Sequence, residues 1–345
     1  MEQKRIFGID LFRAISAFSV VCIHTHPFKD INDYVYVAIN QGARFAVPFF
    51  FITAGYFFGR KLQNNNQDEV FVSYIGRLLY VYVFWSMFYL LIPHSSYTEI
   101  FPPIDASIYG RHGLIKGELL AIAGNVGHTT MGQIVFAGVS KHLWFFPSLI
   151  MSIMVVFICH KNNLGKYLMP VAIALYVVGL LGGAWSVFSF GVDFTFNTRS
   201  GHFFSLLFVY AGYRLSSTTQ RHFRKETAYV IFALGMVLNL IEVYVLKGLF
   251  GVGEIQTYRL STVLMGVGVF ESALHFSGKA IAADMLALAG RYSLGIYCVH
   301  IFIMEIIEAA APPVPYYIMP FAVYVVSLLC MAMLAKVRFM GKICR

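Results

Sequence analysis

Long, uninterrupted apolar runs alternate with short polar segments along most of this 345-residue chain. A helix needs about 20 apolar residues to cross the hydrocarbon core of a bilayer, whereas a membrane β-strand shows short segments of alternating polarity. The pattern therefore predicts an all-α integral membrane protein with about ten transmembrane helices. The predicted spans are residues 7–26, 44–59, 72–92, 143–160, 167–190, 202–215, 227–246, 260–277, 292–310 and 316–335.

The composition supports this class of protein. Hydrophobic residues make up 58% of the chain and charged residues only 12%. Soluble domains carry roughly 25% charged residues, so this chain has too few charges to cover a surface that faces water. The five cysteines are scattered without a closely spaced pair. That arrangement argues against a disulfide framework and a zinc site, and we expect no bound metal.

Positive charges are distributed unevenly between the segments that join the spans. If the N-terminus is cytoplasmic, 17 of the 26 Lys and Arg residues fall in inner segments and only eight in outer ones. The excess satisfies the positive-inside rule and predicts that both termini are cytoplasmic. Because the basic residues form no single patch, we attribute the net charge of +9 to topology and to anionic lipid, not to nucleic-acid binding.

Two regions do not fit simple loops. Residues 93–142 are too long for a plain connection, and we expect an outer-face or re-entrant element there, because irregular backbone is tolerated where it lines a cavity. Residues 278–290 have the pattern of a short amphipathic helix at the inner face. The sequence shows no internal repeat that would mark two structurally related halves.

The first span, FGIDLFRAISAFSVVCIHTH, contains the charged residue Arg13 and the titratable His24. These residues are 11 positions apart, which at 100° per residue is about three turns plus 20°, so both lie on one helix face about 16 Å apart. Asp10 falls near the same face. This geometry suits one long ligand that is held at Arg13 and reacts at His24. An alternative is that Arg13 extends inward and pairs with Asp10, while His24 only caps the outer end.

Other polar residues lie within or beside the predicted spans. A charge at the bilayer centre costs about 2.5–3.5 kcal/mol on insertion scales, so such residues face a cavity or a partner. We expect five of them around a substrate cavity, and we expect Glu242 and Glu271 each to have a basic or hydroxyl partner on another helix. A structural role for His300 and an interfacial role for Trp144 are open alternatives. The five are Trp144, Arg199, Glu242, Glu271 and His300.

The chain contains none of the short motifs that mark common active sites. There is no P-loop, GxSxG, HExxH or Rossmann fingerprint. Glycine-rich GVGVFES is more simply explained by helix packing. The remaining chemistry is a histidine that acts as general base on a bound hydroxyl or amine.

Several motifs, in order, resemble the acyltransferase-3 family of bacterial membrane acyltransferases. GIDLFRAISAFSVVCIH resembles the opening helix, in which Arg and His are separated by ten residues. VPFFFITAGYFF, SYIGRLLYVYVFW, KHLWFFPSLI, FFSLLFVYAGYRL and YSLGIYCVHIFIM are similar to later helices of the family. Thr53 stands where the family often has Ser. The resemblance extends over nearly the whole chain and implies that residues 1–345 form one transmembrane domain.

This resemblance implies transfer of an acyl group, usually acetyl, from cytoplasmic acyl-CoA to a small-molecule acceptor. It implies that His24 is the base and that Arg13 helps to hold the donor. We expect Asp10, Arg60 and Arg77 beside Arg13 at the donor end. The expected location is the bacterial cytoplasmic membrane, as a multi-pass protein within the lipid bilayer.

A narrower resemblance is to the membrane domain of the serine racemases of vancomycin resistance. In those proteins a cytoplasmic pyridoxal-phosphate racemase domain follows, and the basic segment KVRFMGKICR stands where such a domain would attach. The resemblance implies a second possible function, L-serine transport that supplies a fused racemase for altered peptidoglycan. A third possibility, a bare membrane anchor, predicts that Arg13 and His24 tolerate substitution.

Overall fold

The fold is seen in a computed structural model of the chain. The structure describes residues 6–92, 122–124, 126–127, 129–140, 142–217, 222–253, 256–277, 288–309, 314–338 and 340–344. The predicted outer-face element at 93–142 and the predicted amphipathic helix at 278–290 lie largely outside these residues. Of the former, a π-helical turn at Gln133–Ala137 is described.

The described part of the chain is helical and contains no β-strand. A 3-10 turn, Ala43–Phe45, joins the second and third helices. The helices are α1 (Phe7–Thr25), α2 (Asp33–Gly42), α3 (Ala46–Asn64), α4 (Gln67–Leu91), α5 (Phe145–Lys161), α6 (Gly165–Leu181), α7 (His202–Ser216), α8 (Lys225–Phe250), α9 (Thr262–His275), α10 (Ser293–Ala309), α11 (Met319–Leu334) and α12 (Gly341–Cys344).

Each of the ten predicted spans coincides with one long helix, which confirms the all-helical fold. The largest difference is at the predicted span 167–190, because α6 ends at Leu181. Gly182 and Gly183 follow directly, and glycine is about 1 kcal/mol less favourable than alanine in a helix. Residues 182–190 therefore form turns instead of a further helical segment.

Several helices have the length and apolar character that a bilayer requires. Among the described residues, four stretches are long and apolar enough to cross a membrane: Phe7–Thr25, Asp33–Gln63, Gln67–Leu91 and Lys225–Phe250. Four shorter apolar helices accompany them: Phe145–Lys161, Gly165–Leu181, Thr262–His275 and Met319–Leu334. These features indicate a multi-pass membrane protein, while the number of spans and the side of each terminus stay predictions.

Exposed apolar side chains show which faces suit lipid. Val83 and Met87 on α4, and Val230 and Val237 on α8, are large apolar residues on exposed faces. Contiguous exposed apolar surface is unfavourable in water but is suited to contact with acyl chains. These two helices therefore lie at the edge of the bundle, where a bilayer would surround it.

Helix α1 lies inside the bundle and packs against α3, α9, α10 and α11. Its small and β-branched residues, such as Ala14, Ala17 and Val21, are buried and allow this close approach. The helix ends at Thr25, where His26 adopts the left-handed conformation with φ of 49°. Because α1 is internal, its polar residues face the interior of the protein and not lipid.

Two glycines bring α3 and α7 into direct backbone contact. A Cβ atom on Gly212 of α7 would lie 1.9 Å from the carbonyl oxygen of Ile52 in α3. A Cβ atom on Gly55 of α3 would lie 2.0 Å from the carbonyl oxygen of Val209 in α7. Only glycine allows this approach, so this helix pair is a rigid support next to α1.

Candidate active site

Two cavities lie along α1. The first, here called the Arg13 cavity, has a volume of about 620 Å³. The residues that line it include Arg13 of α1, Lys61 of α3, Glu69, Tyr74 and Arg77 of α4, and Tyr297 of α10. Three cations against one carboxylate provide a site for an anionic ligand, because guanidinium and ammonium groups bind phosphate and carboxylate oxygens.

The second, here called the His24 cavity, has a volume of about 440 Å³. It is lined by His24 of α1, by His26 directly after that helix, and by Arg44 of the 3-10 turn, His142, Arg199 and Tyr297, together with further side chains that include Trp144. Its volume is typical of small-molecule sites, which range from about 300 to 1,000 Å³. The cavity brings a titratable base and two guanidinium groups to one small space.

Tyr297 lines both cavities and therefore lies between them. Its hydroxyl donates a hydrogen bond to the carbonyl oxygen of His142, in the short segment before α5. Its ring contacts the ring of Phe145, which lines the Arg13 cavity, with centroids 5.4 Å apart. The side chain of Tyr297 thus separates the Arg13 cavity from the His24 cavity.

Arg13 and His24, which the sequence predicts on one face of one helix, line different cavities. Arg13 lines the Arg13 cavity, and His24 lines the His24 cavity. The nearest nitrogen–oxygen distance between Arg13 and Asp10 is 4.0 Å. Arg13 therefore lines the cavity and also lies beside Asp10, as the alternative interpretation predicts. Asp10 contacts the guanidinium group from one side.

Three imidazole rings meet near the end of α1. The ring centroids of His24 and His300 are 5.2 Å apart, and those of His142 and His300 are 5.4 Å apart. His300 Nδ1 donates to the carbonyl oxygen of Tyr297 at 2.6 Å. This hydrogen bond leaves His300 Nε2 as an acceptor, and it is buried without a hydrogen-bond partner among the described residues.

His142 is fixed by backbone and side-chain hydrogen bonds. Its Nε2 donates to the carbonyl oxygen of Cys298 at 3.1 Å, and its Nδ1 lies 3.2 Å from the hydroxyl of Ser140. Tyr89 also donates to the Cys298 carbonyl, at 2.7 Å. These contacts set the orientation of a histidine that lines the cavity wall beside His24.

The structure places several of the residues predicted for the two ends at the cavities. Arg77 lines the Arg13 cavity, and Trp144 and Arg199 line the His24 cavity. The guanidinium carbon of Arg199 lies 5.7 Å from the ring centroid of Trp144, in cation–π contact. His300, which the sequence also predicts around the substrate cavity, is not among the residues that line it; it is fully buried, with its ring centroid 5.2 Å from that of His24. Trp144 thus lies at the cavity, and its role there stays a prediction.

Three predicted residues lie elsewhere. Arg60 donates to the hydroxyl of Tyr56 at 3.3 Å and is not among the residues that line the Arg13 cavity. Glu242 accepts from the backbone nitrogens of Leu260 and Ser261 at 3.2 and 3.3 Å, just before α9 begins. A carboxylate at this position stabilises a helix N-terminus, so Glu242 has a structural partner outside the cavities.

Glu271 is the third residue that the structure places outside the substrate cavity. Its carboxylate is fully buried in α9, and its Oε1 lies 3.5 Å from Nδ1 of His222. A buried carboxylate requires a charged or hydrogen-bonding partner. His222, which precedes α8, supplies that partner, so Glu271 belongs to the packing between α9 and the segment before α8.

The cavity residues that were not predicted include Lys61, Arg44, His142 and Tyr297. Two of them had a signal in the sequence. Tyr297 is three residues before His300, which is one helical turn on the same face. His142 directly precedes the Leu-Trp of KHLWFFPSLI. Lys61 and Arg44 are near span ends, where a basic residue is ordinary, and only the tertiary fold shows that they face a cavity.

The apolar helices indicate a multi-pass membrane protein, and the arginine and histidine cavities along its internal helix α1 form a candidate active site. The family model for the acyltransferase-3 acyltransferase domain matches residues 6–337. The chain belongs to the acyltransferase-3 family. This match confirms the family that the sequence motifs predict.

The curated relatives carry a different kind of name. An amino-acid racemase from Enterococcus faecalis is 26% identical over 366 residues, which cover 98% of this chain and 46% of the relative. A second amino-acid racemase from that organism is 28% identical, over 69% of this chain and 34% of the relative. A serine/alanine racemase from Enterococcus gallinarum is 27% identical, over 70% and 33%. The chain thus spans about a third to a half of these relatives. No solved structure matches it significantly.

Proposed function

We propose that this chain transfers an acyl group, acetyl in the simplest case, from acyl-CoA to a hydroxyl or amine acceptor, with His24 as general base. One observation carries the proposal. Arg13 and His24 lie on one face of α1 but line two different cavities, and both cavities share Tyr297. A donor in one cavity and an acceptor in the other would meet at this residue.

The Arg13 cavity is suited to the donor. Acyl-CoA carries phosphate groups at one end and its thioester at the end of a long flexible arm. Arg13, Lys61 and Arg77 line this cavity and would bind the phosphates by charge-assisted hydrogen bonds. The predicted topology places this cavity on the cytoplasmic side, where acyl-CoA is present. The thioester would then extend toward Tyr297.

The His24 cavity is suited to the acceptor. The imidazole of His24 would take the proton from the acceptor hydroxyl or amine as that atom attacks the thioester carbonyl. The carbon–sulfur bond then breaks, and CoA leaves as a thiolate that takes up a proton. His300 Nε2, which is an acceptor, would receive the second N–H of His24 and stabilise its protonated ring, as the third member of a catalytic triad does.

The test is acyl transfer by the purified protein in lipid nanodiscs. We expect turnover of acetyl-CoA with a mixture of small alcohols and amines, and loss of at least about 100-fold in His24→Ala. His160→Ala is the matched control, because His160 at the end of α5 hydrogen-bonds Tyr213 at 2.7 Å and lines neither cavity. Equal activity in the wild type and His24→Ala would rule out this mechanism.

A second candidate is L-serine transport into the cell for a fused racemase domain. It rests on the names of the relatives, since nearly the whole chain aligns with less than half of an amino-acid racemase. A pyridoxal-phosphate domain joined to this one would then use the serine. Uptake of radiolabelled L-serine into proteoliposomes tests this candidate, and uptake no greater than in empty vesicles would reject it.

A further inference from the structure

The charged residues that line the His24 cavity, in the part of the chain that the structure describes, are basic. Arg44 and Arg199 both line it, and no Asp or Glu is among the described residues that line it. We infer that the acceptor carries an oxyanion, a carboxylate or a phosphate, which Arg44 and Arg199 bind while its hydroxyl group faces His24. This inference rests on the proposed acyl transfer and specifies the class of acceptor.

Each arginine has a neutral contact among the described residues. Arg44 Nη2 donates to Oδ1 of Asn40 at 2.8 Å, and Asn40 is itself anchored by a hydrogen bond to the carbonyl oxygen of Ile23 at 3.3 Å. Arg199 lies over the ring of Trp144. Guanidinium groups that are fixed in this way are preorganised for an anion, because little side-chain freedom is lost on binding.

The surroundings of Arg44 leave its charge available to a ligand. Its side chain is half-buried, and no carboxylate of the described residues lies within salt-bridge distance of it. Its Nε is buried and has no hydrogen-bond partner among the described residues. A partly buried charge is stabilised by an opposite charge, and an incoming oxyanion would provide it.

The position of the arginines relative to His24 defines the rest of the acceptor. All three residues line one cavity of about 440 Å³, so one small molecule can contact the base and a guanidinium group at the same time. An ammonium group would find no carboxylate among the described lining residues. The cavity therefore favours a hydroxy acid or a phosphorylated alcohol over a zwitterionic amino acid.

The test uses the full chain in nanodiscs with acetyl-CoA as donor and four acceptors of similar size. These are lactate, glycerol 3-phosphate, glycerol and ethanolamine. We expect a kcat/KM for lactate or glycerol 3-phosphate that exceeds those for glycerol and ethanolamine by at least about tenfold. Comparison of lactate with glycerol 3-phosphate distinguishes a carboxylate site from a phosphate site.

Variants at the two arginines identify the groups that bind the anion. Arg44→Gln and Arg199→Gln are expected to raise the KM for the preferred anionic acceptor about 10- to 100-fold and to leave the KM for acetyl-CoA unchanged. Arg44→Lys keeps the charge and should fall between Arg44→Gln and the wild type. Arg214→Gln, which removes an exposed guanidinium at the end of α7 outside both cavities, is the control.

Direct binding separates this inference from the proposed function. Isothermal titration with lactate and with glycerol 3-phosphate, without acetyl-CoA, should show binding that Arg44→Gln abolishes. If no acyl transfer occurs but this binding is present, the proposed function fails and the anion site stands. If glycerol is acetylated as well as the anionic acceptors, and the arginine variants behave like Arg214→Gln, the inference is overturned. Absence of both binding and selectivity also overturns it.

Discussion

The imidazole rings of His24 and His300 lie with their centroids 5.2 Å apart, one at the end of α1 and the other in α10. His300 is fixed by its hydrogen bond to the Tyr297 carbonyl, so the nitrogen that it presents is an acceptor. This contact links α1, which carries the proposed base His24, to α10, which carries Tyr297 between the two cavities. In the proposed mechanism, His300 would be a positioning residue for His24.

Substitution of His300 is expected to lower the rate of transfer without weakening donor binding. His300→Phe keeps an aromatic ring but removes the acceptor for the His24 N–H, and we expect kcat to fall about 10- to 100-fold. His300→Gln keeps a polar atom near the position of Nε2 and should retain more activity. Steady-state kinetics of both variants check this, with the KM for acetyl-CoA unchanged. Equal losses in the two variants would indicate a role in packing only.

Substitution at the donor end is expected to weaken donor binding and so to raise the KM for acetyl-CoA. Arg77→Gln removes a cation that lines the Arg13 cavity, whereas Arg60→Gln removes one that hydrogen-bonds Tyr56. We expect the KM for acetyl-CoA to rise about tenfold in Arg77→Gln, the effect of one charge-assisted hydrogen bond, and to rise less in Arg60→Gln. Titration of each variant with acetyl-CoA measures this. A larger effect of Arg60→Gln would place the donor elsewhere.

Removal of the Tyr297 side chain is expected to join the two cavities. Because Tyr297 lines both, Tyr297→Ala should let water from the His24 cavity reach the thioester. The ratio of acetyl-CoA hydrolysis to acyl transfer should then rise several-fold over the wild type. Tyr297→Phe keeps the ring and loses only the hydrogen bond to the His142 carbonyl, so its ratio should stay close to that of the wild type. An unchanged ratio in Tyr297→Ala would show that another residue separates the cavities.

The contact between α3 and α7 can be tested by stability. A Cβ atom on Gly212 would lie 1.9 Å from a backbone oxygen of α3, so Gly212→Ala must separate the helices, at a cost of about 1–3 kcal/mol for overpacking. Gly248→Ala on α8 is the control, because a Cβ there meets nothing within 4 Å and alanine is the better helix former. Thermal unfolding in detergent should show a lower Tm only for Gly212→Ala. A similar Tm for the two variants would contradict the close packing.

Much of the fold follows from local pattern, because membrane helices are long apolar runs that end at polar residues. Helical periodicity alone also places Arg13 and His24 on one face of the first span. What the pattern does not show is that each residue opens to a separate cavity, since that depends on how α10 packs beside α1. Tyr297 is one of 21 tyrosines in the sequence. Its position one helical turn before His300 is a signal, but only the tertiary contacts show that it lines both cavities.

The isolated carboxylates are a second case in which the sequence alone does not identify the surroundings of a residue. Glu242 and Glu271 interrupt apolar runs, and a charge in a span indicates a cavity or a partner. The sequence does not distinguish these two outcomes, because the partners of Glu242 and Glu271 come from other segments, near Ser261 and at His222. Both carboxylates have structural partners, and the basic His24 cavity forms without them.

The most direct test of acyl transfer through the two cavities uses proteoliposomes of defined orientation. Acetyl-CoA is supplied on the side of the Arg13 cavity and the acceptor on the side of the His24 cavity, while uptake of labelled L-serine is measured in parallel. We predict acetylated acceptor on the far side with the wild type and with His160→Ala, none with His24→Ala, and no serine uptake above empty vesicles. Serine uptake without any acetylated product would contradict the proposed acyl transfer.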